Sequence, residues 1–532
     1  MIFTLHRYIF RELLRIFILA TIALTLILSL GGILHPVQEY GVGPRQVLDI
    51  LLYFMPITLT FVLPMAALFA AALTYGRFAS DNEFDACRAS GISILTLIYP
   101  GLVLAILVAI ANLVLSFHVM PYFVHLAEKS LKADAKQILF RNIQRRGYYC
   151  LPPDKRYVIY ADYADPKEDT LSGIVVIQSD EDGIRRIITS ELTKVRFDPH
   201  DRFNEVQLTA YNTKQVGAAA NDLWFRIGTA SLKQEFGSLL GDNIKFKKIE
   251  EMKQIRADPM LFDPIAKMAR MTHTQLATEL LARDVSRSLA ASGGGSYELK
   301  GASRSIRFTA TACALPERGV IALMAPVVVD EYDGRSGQHL RKLRCEKAEI
   351  RMEEDPTLPR LSLDLHSARV EQTGQLLVRY AVQDLALPDD IGRVLGGGSL
   401  LKVVAADSPA SVAGGPPSSM LDKLQKALRR KIGDTLTDIK AEINSRLVFG
   451  IGCIPMILIG IGLGVIQKGG HLLSAFGASC VPGAVLVVAI ISGKHVAENA
   501  RVQGPYGIYI MWGGLAFLIL LTVWIYRRLL RT

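Results

Sequence analysis

The chain has 532 residues, half of them apolar, and a positive mean hydropathy, which argues against an ordinary soluble protein and fits a membrane protein with a large soluble part. The formal charge is +10, but the basic residues are dispersed without interleaved aromatics, so nucleic-acid binding has no support. Six cysteines without a C-x-x-C pair remove the usual zinc spacings, and neither a metal nor another cofactor is expected.

Residues 1–15, with Arg7, Arg11 and Arg15, read as a basic amphipathic lead-in rather than a cleaved signal peptide, because the apolar run behind them is too long. Ile16–Leu34 carries no charge over 19 residues, enough to span a bilayer. Ile50–Tyr75 and Ile92–Phe117 are a second and a third span, with Pro56, Pro64 and Pro100 inside them.

Between the second and third spans lies the only strongly charged stretch of this region, Gly76 to Gly91. Ser80 and Glu83 have capping-box spacing, so a helix is expected from near Asp81, and Gly91 suits the left-handed position that ends one. The helix should hold about ten residues, roughly 15 Å long. Two readings stay open. It is a coupling helix that docks into a cytoplasmic partner, or a capped connector whose acids stabilise its own N-terminus.

After Pro121 the pattern changes. His125–Arg146 reads as a charged helical stalk. Alternating runs follow at Tyr157–Ala161, Ile174–Gln178, Arg185–Glu191, Val206–Thr213 and Trp224–Leu232, the signature of an antiparallel sandwich or jelly roll. Pro264–Arg283 switches to helical spacing, and a Ser/Gly spacer leads to a second β-rich series between Ser305 and Leu385. That series is either a separate unit or an elaboration of the first. Cys313 and Cys345 within it allow a disulfide if this part lies outside the cytoplasm, with buried free thiols as the alternative.

Gly392–Ser419 has the composition of a flexible linker, and Leu421–Arg446 is again a charged helix. Leu447–Gln467, Leu472–Gly493 and Tyr506–Tyr526 are three further spans. Gly460, Gly462 and Gly464 either give the first of them a small packing face or merely soften it.

The expected fold is thus an α+β membrane protein, six transmembrane helices in a 3+3 order with a large antiparallel β domain between helices 3 and 4. Its parts are 1–120, with a cytoplasmic helix at 80–91; 121–285, a jelly-roll-like domain; 286–430, a second β-rich unit with its linker; and 431–532. Short-loop charge sets the orientation. Arg7, Arg11, Arg15, Arg77, Arg88, Lys468, Arg527, Arg528 and Arg531 fall on one side, against Arg45, Lys494 and Arg501 on the other. The first side is the cytoplasmic one, although the basic stalk Lys129–Arg146 then lies outside.

None of the six cores holds Asp, Glu, Lys or Arg, unlike most ion-coupled transporters. There is no G-x-x-x-x-G-K-[ST] phosphate loop, no H-E-x-x-H and no Ser/His/Asp grouping; His273 stands alone and reads as structural. No catalytic residue is assigned. This is a membrane protein whose energy source lies on another chain.

Several stretches together resemble the LptF/LptG (YjgP/YjgQ) permeases of lipopolysaccharide export. These are Arg7-Tyr8-Ile9 with Arg11-Glu12; Leu63-Pro64-Met65-Ala66-Ala67-Leu68; Gly76-Arg77 through Asn82-Glu83 with Arg88-Ala89-Ser90-Gly91; and Ser445-Arg446, Pro455 and Gly462-Leu463-Gly464. The resemblance is good over 1–120 and 440–532 and rests on pattern alone over 121–285.

It implies an inner-membrane, multi-pass permease with a periplasmic β-jelly-roll domain. Implied partners are a cytoplasmic ABC ATPase dimer, a second permease (identical or paralogous), periplasmic bridge or accessory β-jelly-roll proteins and a lipopolysaccharide-like lipid. It makes Arg77, Asp81, Glu83, Asp85, Arg88 and Gly91 the ATPase-coupling set. It places lateral gates on the first and fifth spans, where Leu30, His35 and Val485 are the lipid-contact candidates. His35 stands where relatives carry a lysine, so a phosphate contact there would depend on pH. The chain is also longer than the usual members, with 286–430 as the surplus. The competing function is a membrane-anchored envelope scaffold or sensor with a ligand-binding β domain.

Overall fold

The computed structural model describes residues 2–531 except 41–43, 134, 151–156, 181–182, 200–203, 218–224, 237–242, 291–294, 302, 335, 354–359, 397–399, 406–417, 467–471 and 499–503. The chain divides into two compact units, Met1–Lys253 with Thr437–Thr532, and Gln254–Leu436. Six of the described helices are long and apolar enough to cross a membrane.

In the first unit α1 runs Ile2–Tyr40, α2 Pro44–Ser80, the short α3 Glu83–Ala89 and α4 Ile94–Val114. Pro56 and Pro64 stay inside α2, and Pro100 inside α4. A π turn at Leu115–Val119 joins α4 to α5 (Met120–Ala133), and α6 (Ala135–Arg146) follows. The first sheet has seven antiparallel strands: β1 Tyr148–Cys150, β2 Tyr157–Tyr160, β3 Tyr163–Asp165, β4 Thr170–Asp180, β5 Gly183–Pro199, β6 Asn204–Gly217 and β7 Phe225–Phe236. Its order is a meander, with β3 folding back on β4 alone. Alternation puts Ile174 and Val176 of β4 on one face, and Leu171, on the other side of Gly173 (φ +63°), joins them in one core with Ile138, Leu139, Phe140 and Ile143 of α6.

In the second unit α7 (Ile249–Ala257, beginning in the first unit) precedes α8, Asp263–Ala290. A second sheet of seven antiparallel strands follows: β8 Tyr297–Lys300, β9 Arg304–Thr309, β10 Cys313–Glu317, β11 Val320–Asp333, β12 His339–Glu353, β13 Arg360–Val370 and β14 Leu376–Leu385. Its path is β14-β13-β12-β11-β9-β8, with β10 on β11. Gly301 bridges Leu385, and Ala386 N–H donates to the Lys300 carbonyl at 2.8 Å, so the β8 end meets β14. Leu276, Leu280, Leu281 and Val285 of α8 pack with the sheet's inner face in one core.

This packing shifts one expected boundary. A division at 285/286 would cut α8, whose apolar residues belong to the second sheet's core, and the compact unit begins at Gln254. The expected linker Gly392–Ser419 is also partly helical. Within or across it lie α9 (Asp389–Gly396) and α10 (Leu400–Ala405), because Ile391 and Leu395, and Leu400 and Val404, recur at helical spacing and three of the four are buried. Its remaining residues 397–399 and 406–417 lie outside the described residues. Cys313 and Cys345 are free thiols. They flank β11 on opposite sides, opposite Leu323 and Val327, so they are not cross-strand neighbours.

The expected charged helix and fourth span are one helix, α11, Ser419–Ile466. Ser418 caps it by accepting the Leu421 amide at 3.2 Å, and its own amide donates to Glu279 of α8 at 3.1 Å. α12 (Leu472–Glu498) and α13 (Gly504–Arg531) close the chain. A Cβ on Gly460 would sit 3.1 Å from the Leu68 carbonyl oxygen of α2, and one on Gly464 2.9 Å from that of Ala72, so these glycines form a close packing face.

Candidate functional site

The charged stretch folds differently from its capping-box spacing. Ser80 stays in the last turn of α2, and Asn82 takes a left-handed conformation (φ 57°) ahead of α3 with no side-chain cap. The helix has seven residues. The hydroxyl that does cap a helix here is Ser93, which accepts the Thr96 amide at 3.2 Å and opens α4. The C-terminal end behaves as its glycine predicts. Gly91 has φ +82°, its amide donates to the Arg88 carbonyl at 2.9 Å, and the Ile92 amide donates to that of Cys87 at 3.1 Å, a Schellman closure.

Phe84 fixes the helix in place. It is buried in the cluster that holds Phe78 of α2 and Leu97 and Ile98 of α4. Two polar ties brace the same end: Arg77 to Glu12 of α1 at 3.1 Å, and His6 to the Thr96 carbonyl at 2.9 Å. Asp81, Glu83 and Arg88 face solvent, and Asp85 is half-buried. Of the six expected coupling residues, then, Arg77 is engaged within the chain, Asp81, Glu83 and Arg88 form an exposed charged face, Asp85 lies beside them, and Gly91 shapes the exit. Phe84 was not singled out from sequence, and Glu12 was quoted only within the opening stretch that resembles the family, with no role given to it. The signal for Phe84 was an aromatic among charges at the centre of the segment; nothing in the sequence pointed from Glu12 to Arg77.

The opposite end of α4 carries a buried ionic cluster that sequence reading also missed. Arg446 of α11 is 4% exposed in its side chain and donates to Glu442 at 2.9 Å. Its other guanidinium nitrogens donate to the backbone carbonyls of Ser116 (2.9 Å), Lys245 (2.7 Å) and Lys247 (3.3 Å). The group also lies 5.6 Å from the Phe117 ring centroid. The second Glu442 oxygen accepts from Lys494 of α12 at 2.5 Å. One carboxylate and one guanidinium therefore join α11, α12, the π turn after α4 and the segment that returns from the first sheet.

The gate candidates are not drawn together. Leu30 on α1 and Val485 on α12 are each exposed on helices that pack against α2, and the His35 side chain lies outside the described residues. Among the described residues no group of three or more His, Cys, Asp or Glu is placed to hold a metal ion.

Residues 7–280 match the family described as lipopolysaccharide export system permease LptF/LptG. The match takes in α1 to α6, the first sheet and α7, and ends inside α8; the second sheet and α11 to α13 lie beyond it. No curated protein matches the chain. With the match spanning more than half of its length, and with six apolar helices and β sheets in its fold, the chain belongs to the LptF/LptG family of lipopolysaccharide export permeases.

Proposed function

We propose that the chain is the permease subunit of an ABC transporter that extracts lipopolysaccharide or a similar glycolipid from the inner membrane and passes it to a periplasmic β domain. In this reading α1, α2 and α4 span the membrane before a periplasmic region, and α11, α12 and α13 span it afterwards. Asp81, Glu83, Asp85 and Arg88, in and just before α3, dock a cytoplasmic ATPase dimer, which supplies the energy. A second permease of the same family completes the membrane part. α1 and α12 form lateral gates, and periplasmic β-jelly-roll proteins receive the lipid. The parts remain those expected from sequence, with the second β-rich unit beginning at Gln254 instead of residue 286.

The observation that carries this reading is the family match over 7–280, which includes both α3 and the first sheet. The decisive experiment is purification of the tagged full chain from its own membrane in mild detergent. The expected result is a complex with an ABC ATPase and a permease, hydrolysing ATP in response to lipid. A chain that elutes without any ATPase supports an envelope scaffold or sensor instead. Cysteine labelling at Lys300 from the cytoplasmic side would overturn the orientation.

A further inference from the structure

The second unit holds a charged cluster that the transport reading does not use. Glu331 of β11 points to the inner face of the second sheet, opposite Ile306, and its side chain is 0% exposed. Arg304 of β9 donates Nη1–H to one carboxylate oxygen at 2.6 Å, and Arg341 of β12 donates Nε–H to the other at 2.7 Å. Tyr380 of β14 donates its hydroxyl to Glu331 at 3.0 Å. The same phenol oxygen accepts from Arg341 Nη2 at 2.5 Å and from Arg304 Nη1. Burial and the Glu331 carboxylate push the Tyr380 phenol up, so it stays a neutral hydroxyl.

The charge does not close within the cluster. One arginine balances one carboxylate, and the second leaves a net positive charge. Asp333, opposite Arg304 in the register, accepts the Ser336 hydroxyl at 2.8 Å within the β11–β12 turn. The two guanidiniums converge on one oxygen, so like charges are held side by side. Their side chains are 43% and 31% exposed, whereas the glutamate beneath is sealed. Nε and Nη2 of Arg304 and Nη1 of Arg341 make no hydrogen bond among the described residues.

We propose that Arg304 and Arg341, oriented by Glu331 and Tyr380, form an oxyanion site that takes a phosphate monoester group. Planar guanidinium forks present paired N–H groups to phosphate oxygens, and their orientation is set before the anion arrives. A tetrahedral phosphate offers oxygens to two forks at once, whereas the two coplanar oxygens of a carboxylate suit one. Its double negative charge also meets the uncompensated positive charge. The inference stands apart from the transport reading, because none of these residues belongs to the family-matched stretch.

Calorimetric titration of the full chain in neutral detergent and phosphate-free buffer tests it. One arm uses inorganic phosphate; a second uses phosphatidic acid in the micelle, with diacylglycerol as its phosphate-free control. Saturable binding in either phosphate arm and none to diacylglycerol is expected. Binding in both arms marks phosphate itself as the ligand, and binding in the lipid arm alone marks a lipid headgroup. Arg304→Lys and Arg341→Lys keep the charges that balance Glu331 but lose the fork, and each should weaken binding at least tenfold without lowering Tm. Arg393→Gln, at an exposed arginine of α9, should bind as the original chain does. Absence of phosphate binding in both arms overturns the proposal. So does binding that the two lysine variants leave unchanged, or that Arg393→Gln weakens equally.

Discussion

Arg446 and Glu442, one turn apart on α11, share a 2.9 Å salt bridge in which neither side chain is more than a tenth exposed. Lys494 takes the other carboxylate oxygen from α12 and is more open to solvent. The three residues are therefore not equivalent. Removing the carboxylate by Glu442→Gln leaves a buried guanidinium without its counter-charge, a loss of about 3–5 kcal/mol. Arg446→Lys keeps a charge but gives up most of the carbonyl contacts, and should cost less. Lys494→Met should cost least, on the order of 1 kcal/mol, because Arg446 still balances Glu442. Thermal unfolding in detergent should rank the variants in that order. A Lys494→Met loss as large as that of Glu442→Gln would show that α12, and not the α11 pair, holds the cluster.

His273 gives the second unit a defined acid sensitivity. Burial lowers its pKa below the ordinary 6.5, with a hydrogen bond to the Leu395 backbone opposing the shift in part. Between the folded and unfolded values the unfolded chain binds the proton more readily. The contribution to stability is therefore complete above pH 6.5 and is lost as the pH falls below it, by at most about 1.4 kcal/mol per pH unit. Protection factors of the α8 amides should fall between pH 7.5 and 5.5, an acceleration relative to the intrinsic exchange rate, which itself slows as the pH falls. His273→Gln should remove much of that acceleration, and an unchanged pH response in the variant would count against this assignment.

The spans were legible because length and the absence of charge suffice to identify them, whatever they pack against. Strands were legible through alternation, which reports two faces without naming the neighbours. Three features depend on their neighbours in the folded chain and were not legible. Phe84 is an anchor only because Phe78 and Leu97 surround it. Arg446 was quoted only for its resemblance to the family and was given no role, because its carbonyl partners lie at Ser116, Lys245 and Lys247. Helix α8 buries Thr272, His273, Thr274, Gln275, Thr278 and Glu279, so its polar residues gave no sign that it lies in a core. Ser80 failed for a local reason: α2 continues through it, and the turn is made by Asn82 instead.

Gly91 isolates the role of backbone shape in the proposed coupling segment. A Cβ at this position meets nothing within 4 Å, so Gly91→Ala adds no clash, only the strain of φ +82°. That strain is worth about 1–2 kcal/mol and falls on the end of α3. Gly91→Asn, which tolerates the left-handed region, should cost less. Exchange of the α3 amides should be faster in the alanine variant than in the asparagine one. Equal exchange in both would mean that the turn relaxes out of the left-handed conformation.

The proposed gate makes a positional prediction. A photocrosslinker at Leu30 of α1 or Val485 of α12 should capture the exported glycolipid in preference to bulk phospholipid. The same probe at Leu520 of α13, also exposed, should capture phospholipid alone. Glycolipid captured at Leu520 and at neither other position would move the gate to α13.

Glu83 is the residue on which coupling should turn, and the observed geometry sharpens its test. A capping role would have made Ser80 and Glu83 partners, with about 1 kcal/mol lost on truncating either. Instead Ser80 belongs to α2, no side chain caps α3, and Glu83 is an exposed carboxylate in its first turn. Ser80→Ala should therefore be close to neutral, within about 0.5 kcal/mol. Glu83→Gln should leave folding unchanged, since an exposed side chain loses only its charge. It should nevertheless weaken ATPase association, because a glutamine cannot form the charge-assisted contact with an arginine of the partner. Phe84→Ala separates anchoring from docking: it keeps every charge, removes the buried ring at a cost of about 3–5 kcal/mol, and should loosen the whole segment. Measured together, co-purified ATPase and Tm distinguish the three. Glu83→Gln should lose ATPase at constant Tm, Phe84→Ala should lose both, and Ser80→Ala neither. A Glu83→Gln chain that retained its full complement of ATPase would leave α3 a braced connector between α2 and α4, with the docking surface to be sought elsewhere.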